Sequence, residues 1–108
     1  MYLIKSLGVL NLHPTLAEMW EDLEGVAGPG LITSAYRPGD DGVHGQMPVR
    51  GIDRRVRNSA IGNALKEWVN RKWEYDPDRP EFVCAVFHKV DTHGWHLHLQ
   101  CHSNTRRR

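Results

Sequence analysis

Residues 95–102 read Trp-His-Leu-His-Leu-Gln-Cys-His, an unbroken alternation of apolar and polar side chains. Period-two alternation is the pattern of a β-strand with two unlike faces. Trp95, Leu97, Leu99 and Cys101 share one face, and His96, His98, Gln100 and His102 the other. The fold must therefore bury the first face and present imidazoles on the second. Upstream, residues 82–90 are strongly β-prone, and Asp91-Thr92-His93-Gly94 reads as a tight turn, so the two segments predict a hairpin. Four of the seven histidines lie between positions 93 and 102. Histidine is the commonest metal ligand and the usual acid or base near neutral pH, which makes this hairpin the place to look for chemistry.

The rest of the chain predicts the elements that cover the apolar face. Leu16, Met19, Trp20 and Leu23 recur at helical spacing, giving a helix over 14–25. Pro14 suits its first turn, His13 or Thr15 lies near its cap, and Gly25 with the Gly28-Pro29-Gly30 stretch ends it. Residues 31–36 form a short β-prone run, 37–48 a Gly- and Pro-rich loop, and 49–56 a second strand. Ser59 is a plausible N-cap for a helix to about residue 75, with Ile61, Leu65, Trp68, Val69 and Trp73 on its apolar stripe. The order helix, strand, strand, helix, hairpin predicts an α+β domain, a small antiparallel sheet with two main helices. Trp20, Trp68, Trp73 and Trp95 are assigned to the core rather than to a sugar-binding platform.

Length and charge bound the function classes. A chain of 108 residues makes one domain, and 40% hydrophobic with 25% charged residues is globular composition. A net charge of +1 gives no strong field toward nucleic acid or an anionic membrane. No apolar run approaches the ~20 residues of a membrane span, and the apolar start carries Lys5 without a signal-peptide cleavage site. Cys84 and Cys101 make no disulfide framework; one bridge between them is the alternative, and without a signal peptide they are expected as reduced, buried thiols. The Arg106-Arg107-Arg108 tail, within a basic end over 105–108, reads as a frayed solubilising terminus.

His96 and His98 would project from one strand face about 7 Å apart, by the strand rise. That spacing suits two metal ligands, or one ligand beside an acid or base. The alternative is the solvated polar face of an amphipathic strand. A catalytic zinc site needs three protein ligands and an open position. Two upstream residues supply candidates: His44 in the loop and Asp53 in the following strand. Asp53 stands among Arg50, Arg54 and Arg55, and the competing reading is an ion-paired surface acid.

Ser34-Ala35-Tyr36-Arg37, then His44, then Gly51-Ile52-Asp53, then His93-x-x-His96-x-His98 occur in this order. The set resembles the zinc D-alanyl-D-alanine carboxypeptidases and murein endopeptidases that share a fold with the hedgehog signalling domain. Members carry an S-x-Y-R segment, an H-x-x-G-x-A-x-D type motif and a closing H-x-H. The resemblance spans residues ~31–102. It implies a hedgehog/DD-peptidase-like fold and one zinc ion held by His44, Asp53 and His98. It implies His96 and His93 as catalytic or transition-state-stabilising groups, and Arg37 as the cation for a substrate carboxylate. The sequence departs from the family in two places. The spacing from His44 to Asp53 is about two residues longer, so the chain around 46–48 must bulge. Trp95 stands where many members carry an acidic base, which leaves His93, or else Asp91, as the proton carrier. Gln100 would orient a ligand or face solvent.

The resemblance implies a small bacteriophage- or bacterial-type hydrolase, endolysin-like. It would cleave an amide bond in peptidoglycan stem peptides or cross-links, as a monomer, without nucleic acid or membrane partners. Such a chain would be made in the cytoplasm and reach the wall through a pore, through lysis or within a virion. Two alternatives belong to other classes. One is a non-catalytic zinc module of the same fold acting in binding or virion structure. The other is an H-x-H metal nuclease of the rolling-circle type, which lacks support here because no Tyr follows His98.

Overall fold

A computed structural model describes residues 3–4, 12–34, 48–90 and 94–108. The expectations placed on Arg37, His44, Asp91 and His93, and on the loop over 37–48, fall outside the described residues. Among the described residues nine elements follow one another: β1 (Leu3–Ile4), α1 (Pro14–Ala27), β2 (Leu31–Ser34), β3 (Gly51–Val56), α2 (Ser59–Lys72), β4 (Trp73–Glu74), β5 (Ala85–Val90), β6 (Gly94–Gln100) and β7 (Arg106–Arg107). The expected α+β architecture with two helices is present. Five strands form one sheet in the order β1-β2-β3-β6-β5, and β4 pairs with β7 in a separate ribbon. Every pair in the main sheet is antiparallel except β1 with β2.

The α1 N-cap is one of the two residues expected, and the other helix boundaries differ from the sequence expectation by one to three residues. His13 caps α1, its Nδ1 accepting from the Thr15 N–H at 3.2 Å. The helix runs past Gly25 to Ala27 and stops at Gly28, whose φ of 77° only glycine adopts without strain. Leu16, Met19, Trp20 and Leu23 are all fully buried, as their spacing predicts. Asn58, not Ser59, caps α2 by accepting from the Ile61 N–H. The helix ends at Lys72 rather than near 75 because Trp73 and Glu74 turn extended to pair with the chain end.

Both helices lie on the face of the sheet that carries Ile52, Leu97 and Leu99. Each of these three is fully buried and contributes about 1.5–3 kcal/mol of apolar transfer. Arg54, on the same face of β3, donates from Nη2 to the Gly28 carbonyl at 2.9 Å and lies over the Trp20 ring. Helix α2 is fixed to β5 at two points. The Asn70 amide exchanges two 2.9 Å bonds with the backbone of Ala85. Gly62, buried, sits so close to Phe87 that a Cβ there would overlap the ring. Gly62→Ala should therefore lower stability by about 1–3 kcal/mol through overpacking, although Ala is the better helix former by ~1 kcal/mol. Urea unfolding of the variant checks the sign. A gain in stability would mean that α2 does not approach β5 this closely.

The end of the chain corrects the expectation of a frayed tail. Arg107 ion-pairs with Glu18 and Asp22, both at 2.7 Å, and its guanidinium lies 4.3 Å from the Trp73 ring centroid. Arg106 binds Glu74 at 2.9 Å, and the Arg108 N–H donates to the Lys72 carbonyl. Three arginines near three acids and an open strand edge thus become a strap across α1, α2 and β4. The carboxylates of Asp22 and Glu18 hold the Arg107 guanidinium's pKa above its ordinary value.

Cys84 and Cys101 are free and fully buried, as expected from the sequence. Burial pushes the Cys84 thiol up to about 12 and the Cys101 thiol up to about 11. At neutral pH almost no thiolate forms, and the thiolate is the reactive species. The native protein should leave both thiols unmodified by a thiol-specific reagent over minutes, and denaturant should release two equivalents. Rapid native labelling of either one would contradict this packing.

Candidate metal centre

Strands β3, β6 and β5 lie side by side, and the pairing register decides which side chains meet. Asp53 is directly opposite His98 across β3 and β6, and His96 is directly opposite His88 across β6 and β5. All four lie on the face opposite the helices, because each strand alternates. These three adjacent strands thus bring one carboxylate and three imidazoles together on rigid backbone. Asp53 and His96 are buried, at 8% and 5% exposure, while His88 and His98 are partly exposed.

One ligand atom from each of Asp53, His88 and His96 lies within 4.8 Å of the other two, and the three could hold a metal ion. A carboxylate with imidazoles is a donor set that suits zinc and other divalent transition metals. The His88 and His96 ring centroids are 6.2 Å apart with the planes tilted by 50°, so the rings converge without stacking. His98 stands against the same carboxylate, with Nδ1 2.8 Å from Asp53 Oδ1. Its Nε2 is 3.1 Å from Gln100 Oε1, and Gln100 Nε2 donates to the Val83 carbonyl at 2.8 Å.

A register irregularity between Ile32 and Ser34 interrupts the pairing of β2 with β3. Thr33, at this irregularity, turns its hydroxyl to within 3.4 Å of the Asp53 carbonyl and 3.5 Å of His96 Nδ1. Such irregularities re-aim single side chains beside functional sites.

Of the residues singled out in the sequence, Asp53, His96 and His98 share this site, and Arg37, His44 and His93 lie outside the described residues. Gln100 contacts His98, one of the two roles foreseen for it. Two of the three arginines near Asp53 are engaged elsewhere. Arg54 passes to the helix side, and Arg50 Nη1 reaches the Cys101 carbonyl at 3.4 Å. His102 does not join the face that alternation gave it. The strand ends at Gln100, and His102 enters a turn in which its Nδ1 accepts from the Asn104 N–H. Trp95 stacks on Phe87 at 5.2 Å and brings no acid to the site.

Two contributors were missed. His88 sat inside a run read only as β-prone. Counting from a turn at 91–94 would have set His88 opposite Leu97, and only the observed pairing of Val90 with Gly94 sets it opposite His96. Thr33 carried no sequence signal, because an irregularity in pairing is invisible to periodicity.

A cavity of about 520 Å³ lies on the helix side, lined by Gly30, Leu31, Arg54, Val56, Ile61 and Leu65 among others, and includes none of the histidines. Among the described residues, no helix is long and apolar enough to cross a membrane. Comparisons with protein-family models, curated proteins and solved structures find no match to this chain.

Proposed function

We propose that the chain is a zinc-dependent peptidoglycan peptidase of the hedgehog/DD-peptidase-like fold, cleaving an amide bond in stem peptides or their cross-links. One observation carries the reading: a buried carboxylate and three imidazoles meet on the face of the sheet opposite α1 and α2, and Asp53, His96 and His98 among them follow the sequence order of that family's motifs.

Asp53 is the anchor of the zinc site. Two ligand atoms on a tetrahedral zinc, at bonds of about 2.0–2.1 Å, stand roughly 3.4 Å apart, so Asp53 and His98, now 2.8 Å apart at hydrogen-bond distance, would part slightly to admit the ion. These two residues, with His44 as the family resemblance implies, hold the metal. Bound zinc polarises a scissile carbonyl and lowers the pKa of a water toward ~7. His96 lies on the same face, two residues from His98, where its imidazole donates to the oxygen that gains charge. His88, cross-strand from His96, adds a second imidazole to that side of the site. The resemblance gives His93 the proton transfer to the leaving amine and Arg37 the substrate carboxylate, for which a planar guanidinium is suited.

One observation favours a second reading, a zinc module without catalysis: position 95 holds a Trp stacked in place instead of a carboxylate.

The test is elemental analysis of protein purified without added metal, then digestion of purified peptidoglycan with mass mapping of the fragments. About one zinc per chain and release of defined peptides are expected. Zinc without cleavage transfers the conclusion to the binding module. Failure to hold zinc ends both readings.

A further inference from the structure

Gln100 is the last residue of β6, and its side chain is bonded at both ends. The amide nitrogen donates to the Val83 carbonyl at 2.8 Å. That bond fixes which way the amide faces, because a carbonyl only accepts. The amide oxygen must then point the other way, and it meets His98 Nε2 at 3.1 Å. An oxygen that only accepts requires the proton on Nε2. In a neutral ring the lone pair then belongs to Nδ1, and Nδ1 is the atom 2.8 Å from Asp53 Oδ1. Two electron-rich atoms at hydrogen-bond separation need a proton between them, which a metal cation bound by both would replace as they part.

We infer that Gln100 is a positioning residue. Anchored to the Val83 carbonyl, it holds His98 as the Nε2–H tautomer and turns Nδ1 toward Asp53 as a metal-binding atom. The inference rests on the zinc reading above and adds the atom through which His98 binds and the residue that sets it. The bond that a ligand histidine makes through its other nitrogen fixes ring orientation and raises basicity, and losing such a partner typically costs 10–100-fold in metal affinity. The anchor is an irregular backbone segment, since Val83 precedes β5, so the chain entering the hairpin also sets the metal site.

The experiment uses the full chain with uniformly 15N-labelled histidine, zinc as the only added ligand, and Gln100→Met and Gln100→Glu beside the wild type. Zinc affinity is measured by competition with a chromophoric chelator, and the His98 ring nitrogens by NMR. In the zinc-loaded wild type, Nε2 should carry the proton and Nδ1 the metal. Gln100→Met keeps the side-chain length but accepts no comparable hydrogen bond. It should bind zinc about 10–100-fold more weakly while its circular dichroism stays unchanged. Gln100→Glu restores an acceptor for Nε2–H and should bind more tightly than Gln100→Met. Wild-type affinity in Gln100→Met, or zinc on Nε2 in the wild type, overturns the inference and leaves the zinc reading intact. A wild type that holds no zinc overturns both.

Discussion

Asp53→Ala should yield a folded chain that no longer retains zinc. Asp53 is the one carboxylate in the described cluster, and an anionic oxygen contributes both a bond and charge neutralisation to a divalent cation. Losing only a ligand's outer hydrogen-bond partner costs about 10–100-fold, so losing the carboxylate should exceed about a hundredfold. His98→Ala should behave alike, since its Nδ1 shares the position with Asp53 Oδ1. Neither change touches the apolar face, where Ile52, Leu97 and Leu99 pack under the helices, so the fold should survive. Asp53→Asn refines the result: the shape is kept and the charge removed, and the loss of affinity should persist. Competition with a chelator and circular dichroism check both halves. A full zinc complement in Asp53→Ala would remove the centre from this face of the sheet.

The parts of this fold that could be read from the sequence are those in which period and burial agree. Helix α1 follows from four apolar positions that all prove fully buried. The hairpin of β5 and β6 follows from a β-prone run and an alternating one on either side of a turn. Where pairing partners are distant in sequence, local pattern says little. Strand β7 exists because Trp73 and Glu74 offer an edge and three acids offer charge, and neither shows in the residues of the tail. His102 continued the alternation on paper, yet its backbone N–H donates to Thr105 Oγ1 and leaves the sheet.

The same division holds for the site. Asp53, His96 and His98 could be found because residue type and spacing mark them. His88 becomes visible only once the register sets it opposite His96. Thr33 depends on a pairing irregularity that no spacing encodes. A metal centre on adjacent antiparallel strands needs little more than correct register. A one-residue slip of β6 would send His96 and His98 into the core face. Leu97 and Leu99, by their burial, therefore also determine where the imidazoles stand.

His96→Ala should separate catalysis from metal retention. The zinc reading places the ligands at Asp53 and His98, directly opposite each other across β3 and β6, while His96 lies diagonally from Asp53 beside His88. His96 is buried, and its Nδ1 faces Thr33 Oγ1 at 3.5 Å. That contact helps to orient the ring on the face it shares with Asp53 and His88. Removing one positioned donor of this kind costs about 10²–10³-fold in kcat, and a positioned acid or base about 10²–10⁴-fold. Peptide hydrolysis should therefore fall by roughly 10²–10⁴-fold, mainly in kcat, because the interaction forms as charge develops on the substrate. His88→Ala should have a smaller effect in the same direction, since His88 sits on the edge strand β5 and reaches the site beside His96. Zinc content should stay near the wild-type level in both. If His96→Ala or His88→Ala loses zinc as completely as Asp53→Ala, the metal lies in the Asp53–His88–His96 triangle. His98 then serves to hold the carboxylate.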